Sequence, residues 1–296
     1  MARAVPDRDA ACAVAQAAAV IGDWWSLLLV REAARGRHRF DELQRELDIS
    51  RKVLTERLGH LVDSGVLEKV PYQQGPVRHE YRLTDAGRAL LPVLVAMQDW
   101  ADRWVLGDGR LTALADEDGT ETHRVHSLPG VRLPAPLPLP AHTGGELDPV
   151  APDAAATVLF CYPATGRPTP LPEGWNDIPG TIGCTLENRL FRDAYESFTA
   201  AGIAVRGVSA QRSDEQRAFA AAEEIPFPLL SDADNRLSAP LRLPTFRTGQ
   251  MLRLKRLVLV VDRERTVRHV QFPVTDIPAA VDTALARARE VAAERA

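Results

Sequence analysis

The stretch Pro179-Gly180-Thr181-Ile182-Gly183-Cys184 sets a cysteine where chain-breaking residues give way to a helical pattern. Behind it Leu186, Leu190, Phe191, Ala194, Tyr195 and Phe198 repeat at the spacing of one helix face, which predicts that Cys184 sits at or near a helix N-terminus. The unpaired N–H groups and the positive end of the helix dipole favour a thiolate there. A thiol so placed drops from about 8.5 into the range of roughly 3.5 to 7.5 in known cases. The chemistry predicted is that of a nucleophile. For the other two cysteines, Cys12 and Cys161, an inert packed thiol stands beside a redox role. His123 and His126 share a spacing two metal ligands can use, but no cysteine or carboxylate cluster supports them, so no metal site is expected. Phosphate loops, HExxH and GxSxG motifs are absent from the sequence.

Positioning such a sulfur takes a folded scaffold, and 296 residues suffice for two domains of ordinary size. Three cysteines are too few for a secreted disulfide framework. Neither a leader pattern nor a run of about 18 apolar residues occurs, so a cytoplasmic protein with no membrane partner is expected. A net charge of -4 gives no global pull on nucleic acid, so any DNA contact must come from a local patch.

The first 106 residues predict a row of short helices and a hairpin. A helix over about 9–19 is followed by a buried one opened by Asp23 as N-cap. Two short helices, 40–47 and 49–58, are joined tightly with Ser50 as the second cap, a helix-turn-helix pattern. Leu54, Leu58 and Leu61 face inward from the second of these, leaving Arg51, Lys52, Thr55 and Glu56 as groove readers. Strands near 67–70 and 80–84 flank Gln73-Gln74-Gly75-Pro76 as a wing carrying Arg78, and a last helix is predicted over 85–105. Fifteen basic and fifteen acidic residues in this part make binding depend on a cluster: Arg31, Arg35, Arg37, Arg39, Arg51, Lys52 and Arg57.

The order resembles the HxlR-type winged helix-turn-helix regulators, through Ile21-Gly22-Asp23-Trp24-Trp25, Arg39-Phe40-Asp41-Glu42-Leu43, Ser50-Arg51-Lys52-Val53-Leu54 and Tyr81-Arg82-Leu83-Thr84. The resemblance implies a homodimer joined through its first and last helices, with two recognition helices in successive major grooves of double-stranded DNA. It also implies that Cys12 stands where such proteins often keep a sensing cysteine.

Residues 107–128 are polar and rich in breakers and are expected to be a linker. Beyond them, apolar runs at 157–162 and 203–209 separated by the Cys184 helix predict parallel strands with a crossover. Further helices and a closing hairpin at 257–262 and 267–272 complete an α/β domain over 129–296. This part resembles the peroxiredoxins, thiol peroxidases of the thioredoxin fold, through Phe160-Cys161-Tyr162-Pro163, Gly180-Thr181-Ile182-Gly183-Cys184-Thr185, Pro226-Phe227-Pro228-Leu229-Leu230-Ser231-Asp232 and Lys255-Arg256-Leu257. The resemblance implies that Cys184 is the peroxidatic cysteine, Thr181 its hydroxyl partner, Pro163 the motif proline and Arg256 the late-strand arginine. The sequence departs from that pattern twice. Residues 164–180 are inserted between Pro163 and Thr181, and Arg189 stands where a resolving cysteine is often found. Cys161, Cys12 or an external thiol remain as resolving partners.

The expected fold is thus an α+β winged helix-turn-helix domain (1–106) followed, after a linker (107–128), by an α/β thioredoxin-like peroxiredoxin domain (129–296). The expected function is a redox-responsive DNA-binding regulator reacting with peroxide at Cys184. The alternatives are a thiol-dependent peroxidase that uses its winged helix for dimerisation or localisation, and a regulator with a catalytically dead ligand pocket. No cofactor is expected beyond an external thiol reductant.

Overall fold

The computed structural model describes residues 10–166 and 170–294. Asp9, and Arg167 and Pro168 of the insertion, lie outside the described residues. The chain divides into two compact units, Met1–Leu94 and Val95–Ala296.

The first unit opens with α1 (Ala13–Ile21) and α2 (Trp24–Ala34), the latter started by Asp23, whose carboxylate accepts from the N–H groups of Trp25 and Ser26. Helices α3 (Phe40–Leu47) and α4 (Arg51–Asp63) form the helix-turn-helix, with Ser50 Oγ accepting from Val53 N–H at 3.3 Å. Leu54, Leu58 and Leu61 are buried, as expected for the inner face of α4, and Leu29 and Leu43 are buried with them. Strands β1 (Leu67–Gln74) and β2 (Val77–Leu83) pair antiparallel as the wing, in register Leu67 to Leu83. The predicted last helix is two: α5 (Asp85–Arg88), capped by Thr84, and α6 (Leu91–Trp104). Pro92 explains the break, because a residue without an N–H suits only the first turn of a helix. The division between the units falls inside α6, so its C-terminal part from Val95 belongs to the second unit.

The second unit departs from expectation at once. Residues 107–128 are not a free linker: they hold α7 (Thr120–His126), and Ala113, Thr122, Val125 and Leu128 are buried. Breaker-rich composition marks irregular backbone, and here that irregular backbone is bound by tertiary contacts. His123 and His126 each meet a backbone carbonyl, of Gly119 and Phe272. After a small ladder of β3 (Leu139–Pro140) and β4 (Glu146–Leu147) come β5 (Ala156–Cys161), α8 (Cys184–Asp193), α9 (Tyr195–Thr199), β6 (Ile203–Ser209), α10 (Ser213–Ala222), β7 (Leu229–Ser231) and α11 (Ser238–Leu241). A hairpin, β8 (Thr245–Thr248) and β9 (Met251–Leu254), precedes β10 (Leu257–Asp262), β11 (Val267–Gln271) and α12 (Ile277–Ala293). The main sheet runs β11-β10-β5-β6-β7, with β5, β6 and β7 parallel and β10 antiparallel to both its neighbours. Alternation along β5 sends Val158, Phe160 and Tyr162 into the core beneath α8, α9, α10 and α12, while Leu159 and Cys161 enter the core of the opposite face.

Candidate functional site

Cys184 is the first residue of α8, and Gly183 before it has φ 112°. A side chain at Gly183 would meet Ile277 Cδ1 at 2.6 Å, so both the backbone and the space require glycine. Arg256, the residue before β10, reaches across to the sulfur. Its Nη2 lies 3.4 Å from Cys184 Sγ and donates to the carbonyl of Ile182 at 3.2 Å, its Nη1 donates to that of Gly180 at 3.2 Å, and its Nε donates to Glu187 Oε2 at 2.9 Å. All three nitrogens of this guanidinium are thereby held before a substrate arrives.

The electrostatics correct the sequence expectation. Burial pushes the Cys184 thiol up, Arg256 pulls it back, and the Glu187 carboxylate opposes Arg256, while the Ala164 N–H favours the thiolate; the net shift is upward. The helix start does not win, because Cys184 is only 3% exposed and an anion there loses its water. Glu187 itself is pushed up to about 7 by burial, against the pull of Arg256. One guanidinium thus faces two acids, and protonation of Glu187 releases its field to the sulfur. Glu187 was not singled out in the sequence. Its signal was position: three residues after Cys184, it shares the same helix face.

Thr181 meets the sulfur through its backbone and the inserted segment through its hydroxyl. Its hydroxyl donates to the carbonyls of Trp175 at 2.7 Å and Ile178 at 2.8 Å, and the Thr181 carbonyl, not the hydroxyl, accepts from Cys184 Sγ at 3.5 Å. The inserted segment supplies those carbonyls, so the hydroxyl ties the Cys184 loop to that segment. Pro163 is buried at the end of β5, and its neighbour Ala164 presents the N–H that acts on the sulfur. Arg189 pairs with Glu223 at 2.7 and 3.0 Å.

The structure does not bring Cys161 to Cys184. Cys161 lies in the core on the opposite face of the sheet, where burial pushes its thiol well up. The sheet separates the two sulfurs, so Cys161 cannot resolve a disulfide without disrupting β5. Cys12 is the exposed N-cap residue of α1 in the first unit.

On the first unit, Arg51, Lys52, Thr55 and Glu56 are exposed along the first turns of α4. Arg51 stacks over the Phe40 ring, and Arg39 lies over that of Tyr72 while pairing with Glu80 at 3.2 Å. With Arg45, Arg78 and His79 these groups line a concave surface of about 460 Å³ between α3, α4 and the wing. Arg45 and His79 were missed in the sequence, where only the fold shows that they converge. Four arginines of the expected cluster are paired within the unit. Arg57 turns inward to Asp23 at 3.4 Å, and Arg31, Arg35 and Arg37 gather around the buried carboxylate of Glu32 at 2.7, 3.5 and 2.5 Å. A buried carboxylate demands such partners, which sequence alone does not reveal.

The two units define a winged helix-turn-helix domain joined to an α/β domain of the thioredoxin-like, peroxiredoxin type. Residues 20–108 match the HxlR-like helix-turn-helix family, and residues 178–270 match the AhpC/TSA family. The HTH-type transcriptional regulator YvaP of Bacillus subtilis is 38% identical over 87 residues, 29% of this chain and 81% of that protein. An HTH-type transcriptional regulator of Mycobacterium tuberculosis is 45% identical over 92 residues, 31% of this chain; the match spans 58% of that relative's length. Among solved structures, peroxidoxin BcpB of Mycobacterium tuberculosis is 29% identical, with 52% of this chain and 91% of that chain covered and a TM-score of 0.43. The chain belongs to the HxlR-like helix-turn-helix family, and its second unit contains the segment that matches the AhpC/TSA family. Among the described residues no single helix is long and apolar enough to cross a membrane.

Proposed function

We propose that this protein is a redox-responsive, DNA-binding transcription regulator whose peroxiredoxin-like domain reacts with peroxide at Cys184. The observation that carries the reading is the fixed Arg256 guanidinium 3.4 Å from a sulfur at a helix start, in the same chain as an exposed recognition helix. The sulfur attacks the terminal oxygen of a peroxide; the S–O bond forms as the O–O bond breaks, and sulfur is oxidised by two electrons as the peroxide is reduced. The leaving alkoxide takes the thiol proton and departs as an alcohol, or as water from hydrogen peroxide, leaving a sulfenic acid. Arg256 stabilises the negative charge that develops on the leaving oxygen. With Cys161 beyond the sheet, the exposed Cys12 or an external dithiol is left to reduce the sulfenic acid: the attacking thiol displaces water to form a disulfide with Cys184, and a further thiol releases Cys184 by exchange.

In this reading Arg51 and Lys52 meet double-stranded DNA in the major groove, with Arg39 and Arg78 on its phosphates. A homodimer presents two such surfaces. Exposed apolar side chains on α1, α2 and α6, namely Val14, Trp24, Met97, Trp100 and Trp104, support it. Such a regulator works in the cytoplasm. A gel-shift titration on a promoter fragment, with and without peroxide, on the wild type and Cys184→Ser, tests the reading. Peroxide is expected to change the affinity of the wild type alone. Identical affinity in all four conditions overturns it, and steady peroxide turnover with a dithiol under those conditions would favour the peroxidase instead.

A further inference from the structure

Residues 107–128 lie directly on the loop that carries Cys184. The Ala113 N–H donates to the Pro179 carbonyl at 2.8 Å. Leu114 presses on Gly180 so closely that a Cβ there would sit 2.7 Å from its Cγ. Gly180 therefore meets this segment through its Cα, while its carbonyl accepts from Arg256 Nη1. Lys255, next to Arg256, donates to the Leu114 carbonyl at 3.1 Å and pairs with Glu121 of α7 at 2.6 Å. Arg124, also on α7, holds Asp102 in the last turn of α6 with two bonds of 2.6 and 2.7 Å. Ala113 also joins Ala164, Trp175 and Phe246 in one apolar cluster, and Ala164 supplies the N–H that acts on the sulfur.

These contacts form a continuous path from the end of α6 to the thiol. Cys184 is 3% exposed, and a dithiol reductant of protein size cannot reach it unless the loop 179–184 swings outward. That loop cannot swing without displacing Ala113 and Leu114. Moving them strips the Leu114 carbonyl from Lys255 and loosens α7, which is the anchor of Asp102. We propose that residues 111–124 are a strap that holds the Cys184 loop shut and turns opening of that loop into release of the C-terminal end of α6. This rests on the reading that Cys184 is the peroxide-reactive sulfur. It adds the route by which the reaction reaches the DNA-binding unit, since α6 begins there.

The test uses the full-length protein as wild type, Leu114→Ala, Asp102→Asn and Cys184→Ser. In the reduced proteins, modification of Cys184 by N-ethylmaleimide is followed by peptide mass spectrometry. Leu114→Ala is expected to speed it roughly tenfold by lowering the cost of local opening, with a smaller gain for Asp102→Asn. Cys161 must stay unmodified throughout, which reports that the fold is intact. Hydrogen exchange over 111–126 is then measured before and after hydrogen peroxide. Protection is expected to fall in the wild type and to hold in Cys184→Ser. Unchanged maleimide rates in both strap variants with Cys161 protected overturn the strap. So does unchanged exchange after Cys184 has gained one oxygen. If Cys184 gains no oxygen, the peroxide reading has failed, and the maleimide rates alone decide the strap.

Discussion

Two arginine–carboxylate pairs in this chain have the same chemistry and opposite settings. Arg256 and Glu187, at the thiol, have side chains 4% and 1% exposed, whereas Arg51 and Asp41, on the recognition surface, have 72% and 75%. The buried pair sits at 2.9 Å with the other two guanidinium nitrogens held by backbone carbonyls and sulfur; the exposed pair sits at 3.9 Å with both side chains largely in water. Burial makes Arg256 a fixed part of a site, because leaving either charge alone would be costly. Exposure leaves Arg51 free to trade a weak carboxylate for a phosphate or a base edge. Charge alone therefore says little about role; the water around it decides.

The largest effect is expected where the buried pair is broken. On the proposed peroxide chemistry, Arg256→Ala removes the group that meets the developing charge, and it strands Glu187 without its partner. A slowing of Cys184 oxidation by about 10²- to 10³-fold is expected, followed as the rate of sulfenic acid formation by mass spectrometry. A variant that reacts at the wild-type rate would remove Arg256 from the site. Second in size is a pH effect from Glu187. Its folded-state value near 7 stands above the ordinary 4.5, so the folded protein holds the proton more tightly than the unfolded chain. The stability that follows is fully present below about 4.5 and is lost as pH rises through about 7. Glu187→Gln is expected to remove on the order of 2 kcal/mol of that pH dependence, read from urea midpoints between those limits. Asp232, raised to about 6 by burial, titrates in the same window and leaves a residual slope in the variant.

Much of this was legible in the sequence, and the rest was hidden for physical reasons. Gly180 and Gly183 announced the start of α8 because positive φ and close packing leave few alternatives to glycine. The winged helix followed from Asp23, Ser50 and the spacing of Leu54, Leu58 and Leu61, which are local signals. Leu186, taken for the inner face of α8, is instead exposed, and the helix breaks at Ala194; the face is fixed by where Cys184 and Glu187 must point. Arg256, 72 residues from Cys184, was reachable only through family resemblance, because no periodicity links the two. The strap was hidden most thoroughly. Leu111, Ala113 and Leu114 follow no helical or strand period, and only tertiary contacts cover this irregular backbone ahead of the short helix α7.

On the exposed side two arginines of α4, Arg51 and Arg57, differ in the same way. Arg51→Ala is expected to weaken promoter binding by about tenfold and to lower the slope of log affinity against log salt by about one, as loss of one phosphate contact does. Arg57 lies six residues on, and a count of basic residues gives it equal standing. Its side chain, however, is 18% exposed and its Nη1 is held 3.4 Å from Asp23, the residue that also caps α2. Replacing Arg57 by alanine leaves Asp23 with its cap bonds to Trp25 and Ser26 but without a counter-charge, and frees one contact between α4 and the start of α2. The expected outcome is a thermal midpoint lowered by a loss of about 1 kcal/mol, with the salt slope of DNA binding unchanged. A salt slope that falls by about one in Arg57→Ala would show that this arginine leaves Asp23 for phosphate when DNA arrives. The recognition surface would then extend one turn further along α4 than its exposure indicates.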